Sequence, residues 1–372
     1  MDSNASRRAF LKAAATSVAL AAWNRRALAA GSPATSPTLP SAPSRGDAPP
    51  PGPIGGGPTP DQYPVPTGIP MPKRALGRTG AEVSMIGIGG YHLGLPSEKD
   101  AVRIVREAID HGVTFLDNCW DYHEGESERR MGKALAGGYR DRAFLMTKLD
   151  GRTAQAASAQ LDQSLRRLGT DHVDLLQLHE VIRMSDAGRA FAPGGAIEAF
   201  VRARETGKTR FIGFTGHKSP DIHLTMLQQA QKSGLHFDTV QMPLNVMDAQ
   251  FDSFQSRVLP VLLKEGIGVL GMKPMGSGVI LESGVVSAVE CLRYALSLPT
   301  SVVITGVDTL GVLHQDLATG LGFQPLTDGE KQALLARAAT AAQGGKYEQY
   351  KTSQRFDGTA QHPEWLEKAE FR

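Results

Sequence analysis

The chain has 372 residues, 41% of them hydrophobic, with 40 basic side chains against 38 acidic ones for a net charge of +2. That length and apolar share can supply a large core, while the balanced charge argues against a nucleic-acid partner, which needs clustered Lys and Arg. Cys119 and Cys291 lie far apart and outside any C-x-x-C pair. By themselves they cannot build a zinc ribbon or an iron–sulfur centre, so they read as free, partly buried thiols.

Residues 1–29 read as an address. Ser6-Arg7-Arg8-Ala9-Phe10-Leu11-Lys12 precedes an apolar run from Ala13 to Trp23, and Ala27-Leu28-Ala29 follows. Paired arginines, a short apolar segment and an A-x-A site have the form of a twin-arginine export signal. The apolar run falls well short of the roughly 20 residues that cross a bilayer, so no stable membrane span is expected after cleavage. The expected partner is the twin-arginine translocase, and the expected destination is the periplasm or beyond. Residues 30–70 are crowded with Pro, Gly, Ser and Thr, including Pro49-Pro50-Pro51 and Gly55-Gly56-Gly57. Such a segment buries too little apolar surface to offset its ordering entropy and reads as a disordered linker. A folded domain over 71–325 is expected, followed by a C-terminal helix and tail over 326–372.

From Lys73 the texture changes. Residues 74–84 read as a hairpin turning at Thr79-Gly80. Short strand-like runs then alternate with longer runs of helical period. The strand candidates are 85–89, 114–117, 144–148, 173–178, 210–213, 239–242, 268–272 and 302–305. Helical stretches include 98–111, 154–168, 197–206, 220–233, 254–265 and 285–297. Such alternation fits an open doubly wound sheet or a closed barrel. About eight evenly spaced units, and the lack of a G-x-G-x-x-G after the first strand, favour an α/β fold of the (β/α)8 TIM barrel type.

Chemistry on such barrels sits at the C-terminal ends of the strands. Asp117 ends the second strand, with Tyr122 in the loop after it; Lys148 ends the third and His179 the fourth. Hydride delivery to a carbonyl carbon builds negative charge on oxygen, which needs a proton donor. A tyrosine with an ordinary pKa of about 10 donates poorly at neutral pH. A nearby ammonium is expected to lower it, an aspartate to hold that ammonium, and a histidine to steer the substrate oxygen.

Here the sequence resembles the aldo-keto reductase superfamily. Asp117 followed by Tyr122, then Glu124-Gly125-Glu126-Ser127-Glu128, resembles the family's Asp, Tyr and Gly-x-Ser-Glu pattern, slightly lengthened. Lys148 and the run Asp174-Leu175 through His179 are similar to the family's strand-end Lys and Asp-Leu-x-x-x-His. The resemblance spans Met71 to about Gly322. It implies reduction of an aldehyde or ketone, or the reverse oxidation, by a nicotinamide cofactor, NADPH or NADH, with Asp117, Tyr122, Lys148 and His179 catalytic.

The resemblance also implies cofactor contacts from the later strands. Thr215, Gly216 and His217 stand where the family has Ser-Asn, and Gln241 matches its carboxamide-binding Gln. Met272 replaces a stacking Tyr, Lys273 follows it, and Gly276 to Gly278 can bring backbone N–H groups to the pyrophosphate. After the eighth strand, Gly306 and Asp308 replace residues that grip a 2′-phosphate, which puts NADPH preference in question. Gln315 and Asp316 are placed to reach the adenine. Tyr91, His92, Trp120 and His123 are candidates for the substrate pocket, and the tail from Tyr347, with Tyr350, Phe356 and Trp365, for folding over the mouth. No metal is expected. Two rival readings remain: a cofactor-binding sensor or regulatory subunit with little turnover, and a metal-dependent barrel hydrolase using His92, His123, His179 and His217.

Overall fold

The computed structural model describes residues 57–371. An antiparallel hairpin, β1 (Lys73–Ala75) and β2 (Glu82–Ser84), comes first. Eight parallel strands follow: β3 (Ile86–Gly89), β4 (Phe115–Asp117), β5 (Phe144–Leu149), β6 (Val173–Leu178), β7 (Thr209–Thr215), β8 (Thr239–Pro243), β9 (Gly268–Met272) and β10 (Val302–Gly306). Their order β10-β3-β4-β5-β6-β7-β8-β9 closes on itself, with β9 pairing to β10. The fold is the (β/α)8 barrel that the alternation implies, and the strand bounds agree within one or two residues. One helix differs. The run 254–265 splits into Phe254–Arg257 and Leu259–Glu265, because Pro260 lacks the N–H that would continue the first helix and instead begins the second.

Strand pleat decides what each side chain meets. Residues of one parity point inward: Phe115, Phe144, Met146, Leu175, Leu270, Val302 and Ile304 fill the barrel with Leu76 and Val83 of the hairpin. The hairpin thus plugs the end of the barrel opposite the strand C-termini. The other parity packs against the helices. Glu98–Asp110 shows how: it buries Ala101, Ile104, Val105, Ala108 and Ile109 at helical spacing, and Ser97 caps it by accepting from the Asp100 N–H. Ile104→Ala there removes a fully buried side chain, at a cost of about 2–5 kcal/mol.

Composition placed the linker up to residue 70, but the chain is packed from earlier on. Pro60–Gln62 forms a 3-10 turn in which the Thr59 N–H donates to Gln62 Oε1 at 2.9 Å, and Val65 lies against the main core. The Pro58 carbonyl sits against Gly311 so closely that a side chain at 311 would collide with it. Apolar contact, which composition does not report, holds this stretch. The export signal and the rest of the expected linker lie outside the described residues. Among those described, no helix is long and apolar enough to cross a membrane.

Candidate active site

Inward parity carries three of the four expected side chains to one rim. Asp117 lies two residues beyond Phe115, Lys148 two beyond Met146, and His179 four beyond Leu175. Asp117 and Lys148 form an ion pair that is only 3% and 1% exposed. Lys148 Nζ also donates to the Asn118 carbonyl at 2.7 Å, and Gln241 Nε2 donates to the second Asp117 oxygen at 2.8 Å. Tyr122 closes the group from its loop: its ring centre is 4.8 Å from Lys148 Nζ and 5.7 Å, edge-on, from the His179 ring.

One expectation needs correcting. Lys148 was to draw the Tyr122 pKa down, yet burial, reinforced by the negative charges of Asp117, Cys119, Asp121 and Glu180, pushes it well above the usual value. Lys148 meets the ring face while its charge is absorbed by Asp117. So placed, the phenol is a weaker acid than a free tyrosine, and donation of its proton depends on Lys148 stabilising the phenolate against that burial.

His179 faces a second cluster that the sequence reading missed. Its Nδ1 lies 2.9 Å from Asp150 Oδ1, 3.1 Å from Cys119 Sγ and 3.5 Å from Asp121 Oδ1. Burial holds its pKa below the usual value. Buried Arg152 fixes the surrounding backbone by donating to the carbonyls of Asp150, His179 and Glu180 at 2.7–2.8 Å. The signal was present: Cys119 follows Asp117 by two residues and Asp150 follows Lys148 by two, the same parity. The Glu126-Ser127-Glu128 run is scaffold. Ser127 Oγ donates to the Gly90 carbonyl at 2.6 Å, and buried Glu128 accepts from Thr147 at 2.7 Å and pairs with Arg167 at 3.2 Å. These bonds anchor the Tyr122 loop, where His123 and Glu124 take left-handed φ of 50° and 53°.

On the side expected for the dinucleotide, three features fit such a group. Gln241 Oε1 is buried without a hydrogen-bond partner, so it can accept from a carboxamide. Thr215 lies beside it, its hydroxyl 3.9 Å from the Met272 sulfur. Lys273, Gly276, Ser277 and Gly278 have φ of 56°, 58°, 58° and 89°, a glycine-rich turn that a group can approach closely, with the Gly276 and Gly278 N–H groups spent on the carbonyls of Lys273 and Met275 at 3.1 and 3.0 Å. At the far end, Asp316 is buried with no hydrogen-bond partner for either oxygen, and burial pushes its carboxyl up to about 7. Gln315 is buried beside it. Lys273 lies over the rings of Tyr350 and Phe356 at 5.5 and 4.9 Å, and burial draws its pKa down to about 8. His92 covers Gly306, and burial, opposed by Asp308, takes its pKa down to about 4. The Pro58–Gln62 stretch lies on the helix Leu310–Leu321 at Gly311, beside the loop that the resemblance assigns to a 2′-phosphate.

Three expected contacts fail for stated reasons. Trp120 has the opposite parity to Asp117 and Cys119; it is fully buried outside the barrel wall, with Nε1 donating to Gln163 at 2.8 Å and Phe371 stacked on it at 4.3 Å. Gly216 likewise points outward, and a side chain there would strike the Val181 carbonyl, so it presents nothing to a cofactor. His217 is occupied: its Nε2 lies 2.9 Å from Asp357 Oδ1 in the tail.

The tail is fastened across this rim. Asp357 also pairs with Lys218 at 2.8 Å, and Glu180 accepts from the N–H groups of Gly358 and Thr359 at 2.9 and 2.7 Å. Arg183 donates to the Thr359 carbonyl at 2.8 Å. The side that remains open holds Tyr91, 40% exposed and 5.5 Å from the Tyr122 ring, and His123, whose Nε2 lies 2.8 Å from the Tyr91 carbonyl. His92, His123 and His217 join no cluster of possible metal ligands among the described residues, which removes the geometric basis for a hydrolase built on the four histidines.

Barrels of this closure serve many chemistries, so the fold alone assigns none. Similarity to known proteins defines an oxidoreductase. The chain is 33% identical over 224 residues to L-galactose dehydrogenase of Arabidopsis thaliana, covering 57% of this chain and 67% of that one. It is 27% identical over 226 residues to the uncharacterized oxidoreductase YrpG of Bacillus subtilis, covering 55% and 67%. Residues 85–287 match the Aldo/keto reductase family, and the chain belongs to that family. The holo form of the aldo-keto reductase AKR11C1 from Bacillus halodurans shares the fold, with a TM-score of 0.62 at 23% identity over 74% of this chain and 99% of that one.

Proposed function

We propose that this oxidoreductase is an NAD(P)H-dependent reductase of a small aldehyde or ketone, able to run in reverse on the alcohol. The observation that carries the reading is the buried Asp117–Lys148 pair beside Tyr122, whose ring centre lies 4.8 Å from Lys148 Nζ. The bound dinucleotide supplies a hydride to the carbonyl carbon. Gln241 and Thr215 would hold its carboxamide, and Lys273 beside the close-approach turn Gly276–Gly278 its phosphates. Tyr122 Oη gives its proton to the carbonyl oxygen as charge develops there. Lys148 stabilises the phenolate left behind, and Asp117 holds Lys148 in place. His179 orients the substrate oxygen through Nε2, which requires the ring hydrogen on that nitrogen and Nδ1 as the acceptor. The resemblance puts Asp308 near the 2′-phosphate loop, where its charge would weigh against the family's usual NADPH and keep NADH open as the alternative. The likeness to L-galactose dehydrogenase puts L-galactose in the substrate panel for the oxidative direction.

The test uses the purified full chain. Fluorescence titration with NADPH and NADH is followed by turnover with aldehydes, ketones and L-galactose. Tyr122→Phe should bind dinucleotide as before and lose about 10²–10⁴-fold in turnover; normal turnover removes Tyr122 from the acid role. A sensing subunit with slow turnover is the second reading, favoured by the Pro58–Gln62 stretch over Gly311 and by the missing side chain at Gly216. Tight binding without turnover on any carbonyl would establish it. Export by the twin-arginine route rests on Arg7-Arg8 and the run after them. Retention in the cytoplasm of an Arg7→Lys/Arg8→Lys chain tests it.

A further inference from the structure

Around His179 Nδ1 the side chains do not add up as a hydrogen-bond network. One ring nitrogen carries at most one hydrogen, yet three acceptor-type atoms converge on it: Asp150 Oδ1 at 2.9 Å, Cys119 Sγ at 3.1 Å and Asp121 Oδ1 at 3.5 Å. The Cys119 thiol can donate to the Lys148 carbonyl at 3.4 Å or to the Asp121 carboxylate, though not to both at once. Asp121 Oδ1 and Asp150 Oδ2 are buried with no hydrogen-bond partner, and the Asp150 side chain is fully buried. Lone pairs crowded in this way repel one another, and each unpaired carboxylate oxygen out of water is costly.

A cation at the centre removes the conflict. One donor atom from each of Cys119, Asp121, Asp150 and His179 lies within 4.8 Å of all the others. Four ligands at zinc's usual bond lengths of about 2.0–2.3 Å are separated by roughly 3.3–3.8 Å in a tetrahedron, so the group closes on an ion with shifts of about an ångström or less. One sulfur, one imidazole nitrogen and two carboxylate oxygens suit zinc or a like divalent transition ion. The thiolate and two carboxylates together carry three negative charges; a divalent ion leaves one, beside Lys148 and Arg152, whose charges both act on Asp150.

We propose that Cys119, Asp121, Asp150 and His179 form a zinc-type metal site behind the rim histidine. This departs from the sequence expectation of no metal. With four protein ligands the ion has no position left for substrate, so its role is to hold rather than to activate. Coordination at Nδ1 leaves Nε2 to carry the ring hydrogen, which makes that nitrogen a fixed donor toward the mouth. Loading displaces the thiol proton to solvent and changes no oxidation state.

The full chain, stripped with a chelator and dialysed, should take up one equivalent of Zn2+ by elemental analysis. Co2+ in its place should show a thiolate-to-metal charge-transfer band, lost in Cys119→Ser and kept in Cys291→Ser. Asp150→Asn should weaken uptake at least tenfold. Tyr122→Phe should bind the ion unchanged, which separates this site from the reductase reading. Should Cys119→Ser fail to fold, Asp121→Asn, altering the most open ligand, carries the same decision through a tenfold or greater loss of affinity. Sub-stoichiometric uptake of both ions, or a cobalt band that survives Cys119→Ser, would overturn the site and leave two carboxyl groups sharing protons with the imidazole.

Discussion

Replacing Lys148 by Met tests how much of the rim is held by one ion pair. The ammonium is 1% exposed and its Asp117 partner 3%. After the change Asp117 keeps only the Gln241 amide, at 2.8 Å on its second oxygen. Breaking a buried pair by removing one partner costs about 3–5 kcal/mol, because a charge is left out of water and uncompensated, whereas replacing both partners by apolar groups is often neutral. Lys148→Met alone should therefore lose about 3–5 kcal/mol in urea unfolding followed by circular dichroism, and Lys148→Met/Asp117→Leu should recover most of it. Both variants should lose turnover, since neither can stabilise a Tyr122 phenolate. A single variant within about 1 kcal/mol of the parent, or a double variant no more stable than the single, would refute the reasoning.

Other measurements bear on burial. His223 lies between Phe214 and Phe254, at 5.2 and 4.9 Å, and burial takes its pKa from the usual 6.5 to about 4. The folded state thus refuses a proton that the unfolded chain accepts, so this contribution is complete above pH 6.5 and falls by about 3 kcal/mol as pH drops toward 4; His223→Leu should show a shallower acid slope in unfolding free energy. Asp316 has the opposite sign. With a folded value of about 7 above the unfolded 3.9, it costs stability as pH rises through that window, so Asp316→Asn should gain about 2–4 kcal/mol at pH 8. Gly311→Val should push the Pro58–Gln62 stretch off its helix, seen as protease cleavage near residue 60; an unchanged digestion pattern would mean the contact does not hold that segment.

The strand ends were legible because a barrel wall is read by parity. Asp117, Lys148, His179, Thr215 and Gln241 are polar residues ending apolar runs, and all of them point inward. The same rule, continued two residues past Asp117 and Lys148, reaches Cys119 and Asp150 and turns Trp120 outward. What could not be read is long-range. His217 is free in sequence and tied in space to Asp357, 140 residues later. Gly216 is shaped by the carbonyl of Val181, and Gly311 by Pro58. Composition labels residues 57–70 a linker because Pro and Gly dominate there, and only packing against the barrel shows otherwise.

Charges of both signs meet at the mouth. Around His179 stand Asp121, Asp150 and Glu180, with the tail's Gly358 and Thr359 N–H groups spent on Glu180. Lys273 and His92 sit near the run Gly276–Gly278; Lys273 has no carboxylate in a direct ion pair among the described residues, while Glu180, Asp357 and Asp117 act on it through space. A dinucleotide's phosphates belong on the Lys273 side, where a cation of lowered pKa gains most from an anionic neighbour. On the proposed reading the substrate would lie on the His179 side, which is the more acidic one as long as no divalent ion offsets Cys119, Asp121 and Asp150. A carboxylate-bearing carbonyl there would meet like charge in a site of low dielectric, where repulsion is strong, whereas a neutral aldehyde or sugar would not. On the proposed reading, the negative charge gathered near the Tyr122 phenol would therefore disfavour anionic substrates relative to neutral ones.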